Sequence, residues 1–141
     1  MSWAGKKSFK ERFKSLFLSG EQALSSSAEF TPALKEKTAR LLKIWVEGKG
    51  YRLPHRTVEE AAQSIGVPSY YLYHYFKADG TEFRSWRTRL RMEDAMAQIR
   101  ENPQTPLSVI ARRVGVSDRS NFTRQFRAYT GQTPLQWRNQ L

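Results

Sequence analysis

GVSDRSNFTRQFRAYTGQTPLQW, residues 115–137, puts Phe122, Phe126 and Tyr129 on one helical stripe and spaces Arg119, Ser120, Asn121, Thr123, Arg124 and Arg127 between and ahead of them. Apolar residues recurring every three or four positions mark a helix with one buried side. Forty-nine residues earlier, at 66–86, GVPSYYLYHYFKADGTEFRSW opens on the same Gly-Val and closes on the same Trp. One helical unit is built twice.

A short helix is expected ahead of each copy. Val58, Ala61, Ala62 and Ile65 hold the i, i+3, i+4, i+7 spacing, and Leu107, Ile110, Ala111 and Val114 repeat it. Thr57 and Glu60 form a capping box at the start of the first. Gly66 and Gly115 follow the two helices, where a tight turn needs a residue tolerant of positive φ. A short helix, a glycine turn and a second amphipathic helix make a helix-turn-helix. The small Ala61, Ala62 and Ala111 let the second helix cross the first closely. The units are predicted over about 57–79 and about 106–130, joined by a long helix over about 81–101 that ENPQTP halts. Upstream, Thr31-Pro32 starts a helix with Leu34, Thr38, Leu41, Leu42 and Trp45 on one side, ending at Gly48. A short helix at about 134–139 follows Gly131. No alternating strand pattern competes, so the predicted fold class is all-α.

Composition narrows the chemistry. Lys and Arg outnumber Asp and Glu by 24 to 13 over 141 residues, for a formal charge of +11. That excess favours a polyanionic partner, nucleic acid or an acidic membrane surface. The absence of cysteine excludes disulfides, thiolate zinc sites and cysteine nucleophiles. No apolar run approaches the ~18 residues of a membrane span, and a cytoplasmic setting fits. His55 and His74 are the only histidines, neither with a motif-level carboxylate or nucleophile. No glycine-rich phosphate loop follows a strand. No catalytic residue, metal ligand or cofactor is expected.

Residues 1–30 stand apart. Phe9, Phe13, Leu16 and Phe17 share a helical side while Lys6, Lys7, Lys10, Arg12 and Lys14 crowd the same stretch, and SSSAEF follows. This predicts a basic amphipathic extension and linker, either docked on a neighbouring element or lying on a membrane surface.

In the first copy Leu72 and Phe76 are expected to point inward, leaving Tyr70, Tyr73, His74 and Lys77 outward. In the second, Phe122, Phe126 and Tyr129 are expected inside and Ser120, Thr123, Arg124 and Arg127 outside, with Arg119 and Asn121 at the helix start. Such faces suit the DNA major groove, where Arg bridges guanine O6 and N7, Asn bridges adenine N6 and N7, and apolar atoms meet thymine methyls. Lys77, Arg84, Arg87, Arg89 and Arg127, with Ser69 and Thr123, are candidate phosphate contacts. A basic module binding RNA or membrane without sequence specificity explains the charge but not the repeat.

The stretches VEEAAQSIGV, YLYHYFK, RLRMEDAMAQI and LSVIARRVGVSDRSNFTRQFRAYTGQTPLQWR resemble the DNA-binding domain of the AraC/XylS family of bacterial transcription regulators. The resemblance covers residues from about 41 to 141, within a domain drawn at 31–141. It implies two homeodomain-like helix-turn-helix units joined by a long helix, reading double-stranded DNA. By position, it places base contacts on Tyr70, Tyr73 and His74, and on Arg119, Ser120, Asn121 and Arg124. It further implies RNA polymerase as a partner, and an upstream sensor or membrane domain in a longer parent chain. His74 stands where the family usually carries Arg, which implies a weaker grip there. The loop from Phe76 to Gly80 is also one residue shorter than that from Phe126 to Gly131.

Overall fold

The computed structural model describes residues 30–141, and the expected extension at 1–30 lies, but for Phe30, outside the described residues. Every regular element among them is helical: α1 (Pro32–Glu47), a 3-10 turn (Gly50–Arg52), α2 (Val58–Ile65), α3 (Ser69–Lys77), α4 (Phe83–Glu101), α5 (Leu107–Arg113), α6 (Arg119–Thr130) and α7 (Pro134–Asn139). The all-α expectation holds.

Local chemistry explains most of the boundaries. Thr31 caps α1 by accepting from the Leu34 N–H at 3.2 Å, with Pro32 in the first turn. Thr57 caps α2 by accepting from the Glu60 N–H at 3.1 Å. The expected capping box is only half formed there, because the Glu60 carboxylate accepts from the Arg56 N–H instead of that of Thr57. A complete box starts α7, where Thr133 and Gln136 cap one another. The linking helix begins at Phe83, not Thr81. Gly80 turns the chain at φ 68°, the Thr81 N–H bonds back to Phe76 O at 3.1 Å, and Glu82 is extended.

The repeat survives into three dimensions. Gly66 and Gly115 adopt φ 99° and 94°, the left-handed region that disfavours side chains. The Val67 N–H bonds to Ala62 O at 3.0 Å, and the Val116 N–H bonds to Ala111 O at 2.9 Å. The same bond, from the valine after each glycine, closes both turns.

Each unit has its own core. The first packs Leu42 and Trp45 of α1, Ala61, Ala62 and Ile65 of α2, and Tyr71, Leu72 and Phe76 of α3. The second packs Ile110, Ala111 and Val114 against Phe122 and Phe126. Helix α4 serves both. Phe83, Trp86 and Leu90 near its start join the first core, and Met92, Ala95 and Ile99 further along join the second. Sharing one rigid helix between two cores is what sets the units side by side.

Candidate nucleic-acid interface

The second helices of the two units present the outward rows. On α6, Phe122 and Phe126 are buried, and Arg119, Ser120, Arg124 and Arg127 are exposed, with Asn121 and Thr123 half-buried. Asp118 caps the helix by accepting from the Ser120 N–H at 3.2 Å, which orients the first turn. Arg119, Ser120, Thr123, Arg124 and Arg127 line one shallow hollow. The Arg124 guanidinium donates to Asn121 Oδ1, so the two side chains with the best geometry for base edges sit as one unit.

On α3 the surface is aromatic. Tyr73 is 57% exposed, and the Lys77 ammonium lies 5.2 Å from its ring centre, close enough for cation–π attraction. Tyr73, Lys77 and Arg84 line a common hollow with Thr81 and Glu82. Tyr70 and His74 are half-buried, and Ser69 opens the helix, also half-buried. His74 is stacked on Phe30 at 5.7 Å and meets Tyr70 and Tyr73 edge-on at 5.6 and 5.1 Å. Its ring is held, presenting only part of its edge.

Two expectations need correction. Arg87 was expected at a phosphate, but it is 9% exposed and donates to His55 O at 3.4 Å while lying over the Phe83 ring at 5.4 Å. Burial, and then the neighbouring Arg84, hold its pKa below the ordinary arginine value. It faces the connector between α1 and α2 and leaves the phosphate set. Tyr129 was expected inside, but it is 43% exposed. It lies near the end of α6, beyond the core, and its hydroxyl donates to Glu93 Oε1 of α4 at 3.0 Å.

Of the remaining cations, Arg84 is exposed. Arg89 is a surface residue 3.6 Å from Glu93, a loose pair that a phosphate could replace. Tyr71, unremarked in the sequence, is 3% exposed between α1 and α3, with Phe30 against it at 5.6 Å. Burial, reinforced by Tyr70, pushes its hydroxyl up to about 12. The apolar stripe of α1, which must cover something, was the available signal.

His55 is half-buried in the connector between α1 and α2. Burial, and then the charge of Arg87, lower its pKa. Among the described residues, no three His, Cys, Asp or Glu side chains gather as a metal site, and no helix is long and apolar enough to cross a membrane.

Known proteins resemble this chain in sequence and in fold. A family model described as a helix-turn-helix domain matches residues 61–140, from within α2 to the last turn beyond α7. The uncharacterized HTH-type transcriptional regulator YobQ of Bacillus subtilis (strain 168) is 34% identical over 74 residues, covering 52% of this chain and 30% of the relative. The uncharacterized transcriptional regulatory protein YesN of the same strain is 37% identical over 70 residues, covering 48% and 19%. The Msm operon regulatory protein of Streptococcus mutans serotype c (strain ATCC 700610 / UA159) is 27% identical over 85 residues, covering 60% and 30%. The chain thus spans 19–30% of the length of these relatives. The C-terminal domain of AraT, a response regulator from Geobacillus stearothermophilus, shares the fold with a TM-score of 0.60 at 24% identity, over 80% of this chain and 88% of that one. The family model covers more than half of the chain, and the two glycine-turned units and their shared helix agree with it: the chain belongs to the AraC-type helix-turn-helix family of DNA-binding transcription regulators.

Proposed function

We propose that this protein recognises a specific double-stranded DNA sequence with both units, α3 and α6 each entering a major groove. The observation that carries this is that the units bearing α3 and α6 share one 19-residue helix, α4. At about 1.5 Å per residue α4 is about 28 Å long, comparable to the ~34 Å between successive major grooves on one face of B-DNA. Arg119, Ser120, Asn121 and Arg124 would read bases in one half-site, and Tyr70, Tyr73 and His74 in the other. Ser69, Lys77, Arg84, Arg89, Thr123 and Arg127 would hold phosphates. The aromatic face of α3 favours van der Waals contact with thymine methyls, and the Arg–Asn face of α6 favours guanine and adenine edges. The same proposal takes the cytoplasm as the setting and RNA polymerase as a downstream partner.

Selection from a random duplex library tests it. The expected result is a bipartite motif of two unlike parts about one helical turn apart. Enrichment of no motif, or binding to RNA and anionic vesicles as tight as to duplex, would replace it with a non-specific polyanion binder.

A further inference from the structure

The segment between α1 and α2 does more than connect them. Its 3-10 turn lies in the first unit yet touches the linking helix and the second unit together. The Arg91 guanidinium, 8% exposed, donates from Nε to Tyr51 O at 2.6 Å and from a terminal nitrogen to Leu53 O at 2.9 Å. The Arg52 guanidinium grips Asp94 through two bonds, and the Tyr51 hydroxyl donates to the same carboxylate at 2.8 Å. Asp94 Oδ1 also accepts from Gln98 Nε2 at 3.1 Å, and Gln98 Oε1 accepts from Arg113 of α5 at 3.2 Å. A continuous hydrogen-bonded chain therefore runs from the first unit, across α4, to the first helix of the second unit.

A backbone contact closes the same circuit. A Cβ on Gly115 would stand 2.4 Å from Arg52 O and 3.1 Å from Arg91 Nε. The turn of the second helix-turn-helix thus rests directly on the backbone of the first unit's connector, and only glycine lets it do so.

Helix α4 by itself fixes one axis. The connector supplies a second, off-axis attachment, and two attachments fix an angle where one does not. We infer that Arg52, Asp94, Arg91 and Gly115 form a latch that sets the relative orientation of α3 and α6, and so the spacing of half-sites one chain accepts. These are positioning residues, acting through the units they hold. This rests on the two-groove proposal for its consequence on DNA, but not for the latch itself.

Two measurements on the full chain separate the two ideas. The chain has no cysteine, so nitroxides at Ala78→Cys and Ala128→Cys, both exposed, give a single distance between the ends of α3 and α6 by pulsed electron paramagnetic resonance. The parent should show one narrow distribution. Asp94→Ala, which cuts the chain at its centre, and Gly115→Ala, which wedges the turn off the connector, should broaden it, and Asp94→Glu should largely restore it. The second measurement is affinity for the selected DNA with spacers lengthened by 1–3 base pairs. In the parent the longer spacers should cost about tenfold or more, and in the two variants less than about threefold, because a loosened tether spreads its effective concentration over more geometries. Unchanged distance distributions in both variants, with an unchanged spacer profile, would overturn the latch. Broadened distances beside a parent indifferent to spacer length would support the latch and overturn the two-groove proposal.

Discussion

Arg52 Nε lies 2.6 Å from Asp94 Oδ2, and a terminal nitrogen of the same guanidinium lies 2.9 Å from Oδ1. Burial by itself would push the Asp94 pKa up, but hydrogen bonds from Arg52, Gln98 and Tyr51 outweigh it and hold the carboxyl below its ordinary value. A carboxylate with a depressed folded-state pKa contributes stability that is present above the unfolded pKa and is lost as pH falls through the folded one. Asp94→Asn should therefore cost about 2 kcal/mol near neutral pH. The gap between variant and parent should narrow below about pH 4, where the unfolded carboxyl protonates. Urea titrations at several pH values check this; a gap independent of pH would mean the pair adds no linked stability.

The two faces of α6 should respond differently to truncation. Phe126 is fully buried against Phe122 and Trp137, so Phe126→Ala should destabilise the protein by about 3–5 kcal/mol. Arg124→Ala, on the exposed face, should leave stability within about 0.5 kcal/mol. Thermal melts followed by circular dichroism compare the two. Equal losses would mean that the exposed row has a structural role.

Reading bases and gripping phosphates should also separate. Arg124→Ala should cost about 1–3 kcal/mol at the selected site and relax preference at one position. Arg127→Ala should weaken all sequences to a similar degree. Competition assays with single-base variants decide it, and identical profiles in the two variants would remove the distinction.

With Arg87 turned inward, the phosphate-facing cations are fewer than the sequence suggested. If Lys77, Arg84, Arg89 and Arg127 each neutralise one phosphate, log K should fall against log salt with a slope of about −3.6. Titrations between low and physiological salt measure it. A slope near zero would contradict an electrostatic footprint of this kind.

Local rules made much of the fold legible. Gly66 and Gly115 mark their turns because left-handed backbone selects glycine, and Phe122 and Phe126 mark a buried face by helical period alone. Arg87 and Arg91 were not legible in the same way. They lie on α4, whose apolar residues serve two cores on different sides, so no single stripe identifies its inward face. In a basic chain, arginines on such a helix look solvated. Their partners, the carbonyls of Tyr51, Leu53 and His55, are 32–40 residues away. Tyr71 was hidden for a related reason: α3 is covered on a second side by α1 and Phe30, a tertiary fact with no local signature. The outward row of α6 could be read from periodicity, as could exposed Tyr73 and Lys77 on α3, but the packing of Tyr70 on the first core and the stacking of Phe30 on His74 could not.

We propose that one chain reads two grooves at a fixed separation. The most direct test is the affinity of the parent protein for its selected site with about 5 base pairs, half a helical turn, inserted between the two parts. The insertion turns one half-site to the far side of the duplex, and most of the specific affinity should be lost. Inserting about 10 base pairs restores the facing but lengthens the span by about 34 Å, more than the about 28 Å length of α4, so binding should not recover. Full affinity at both insertions would contradict the claim and leave a single helix-turn-helix as the reader.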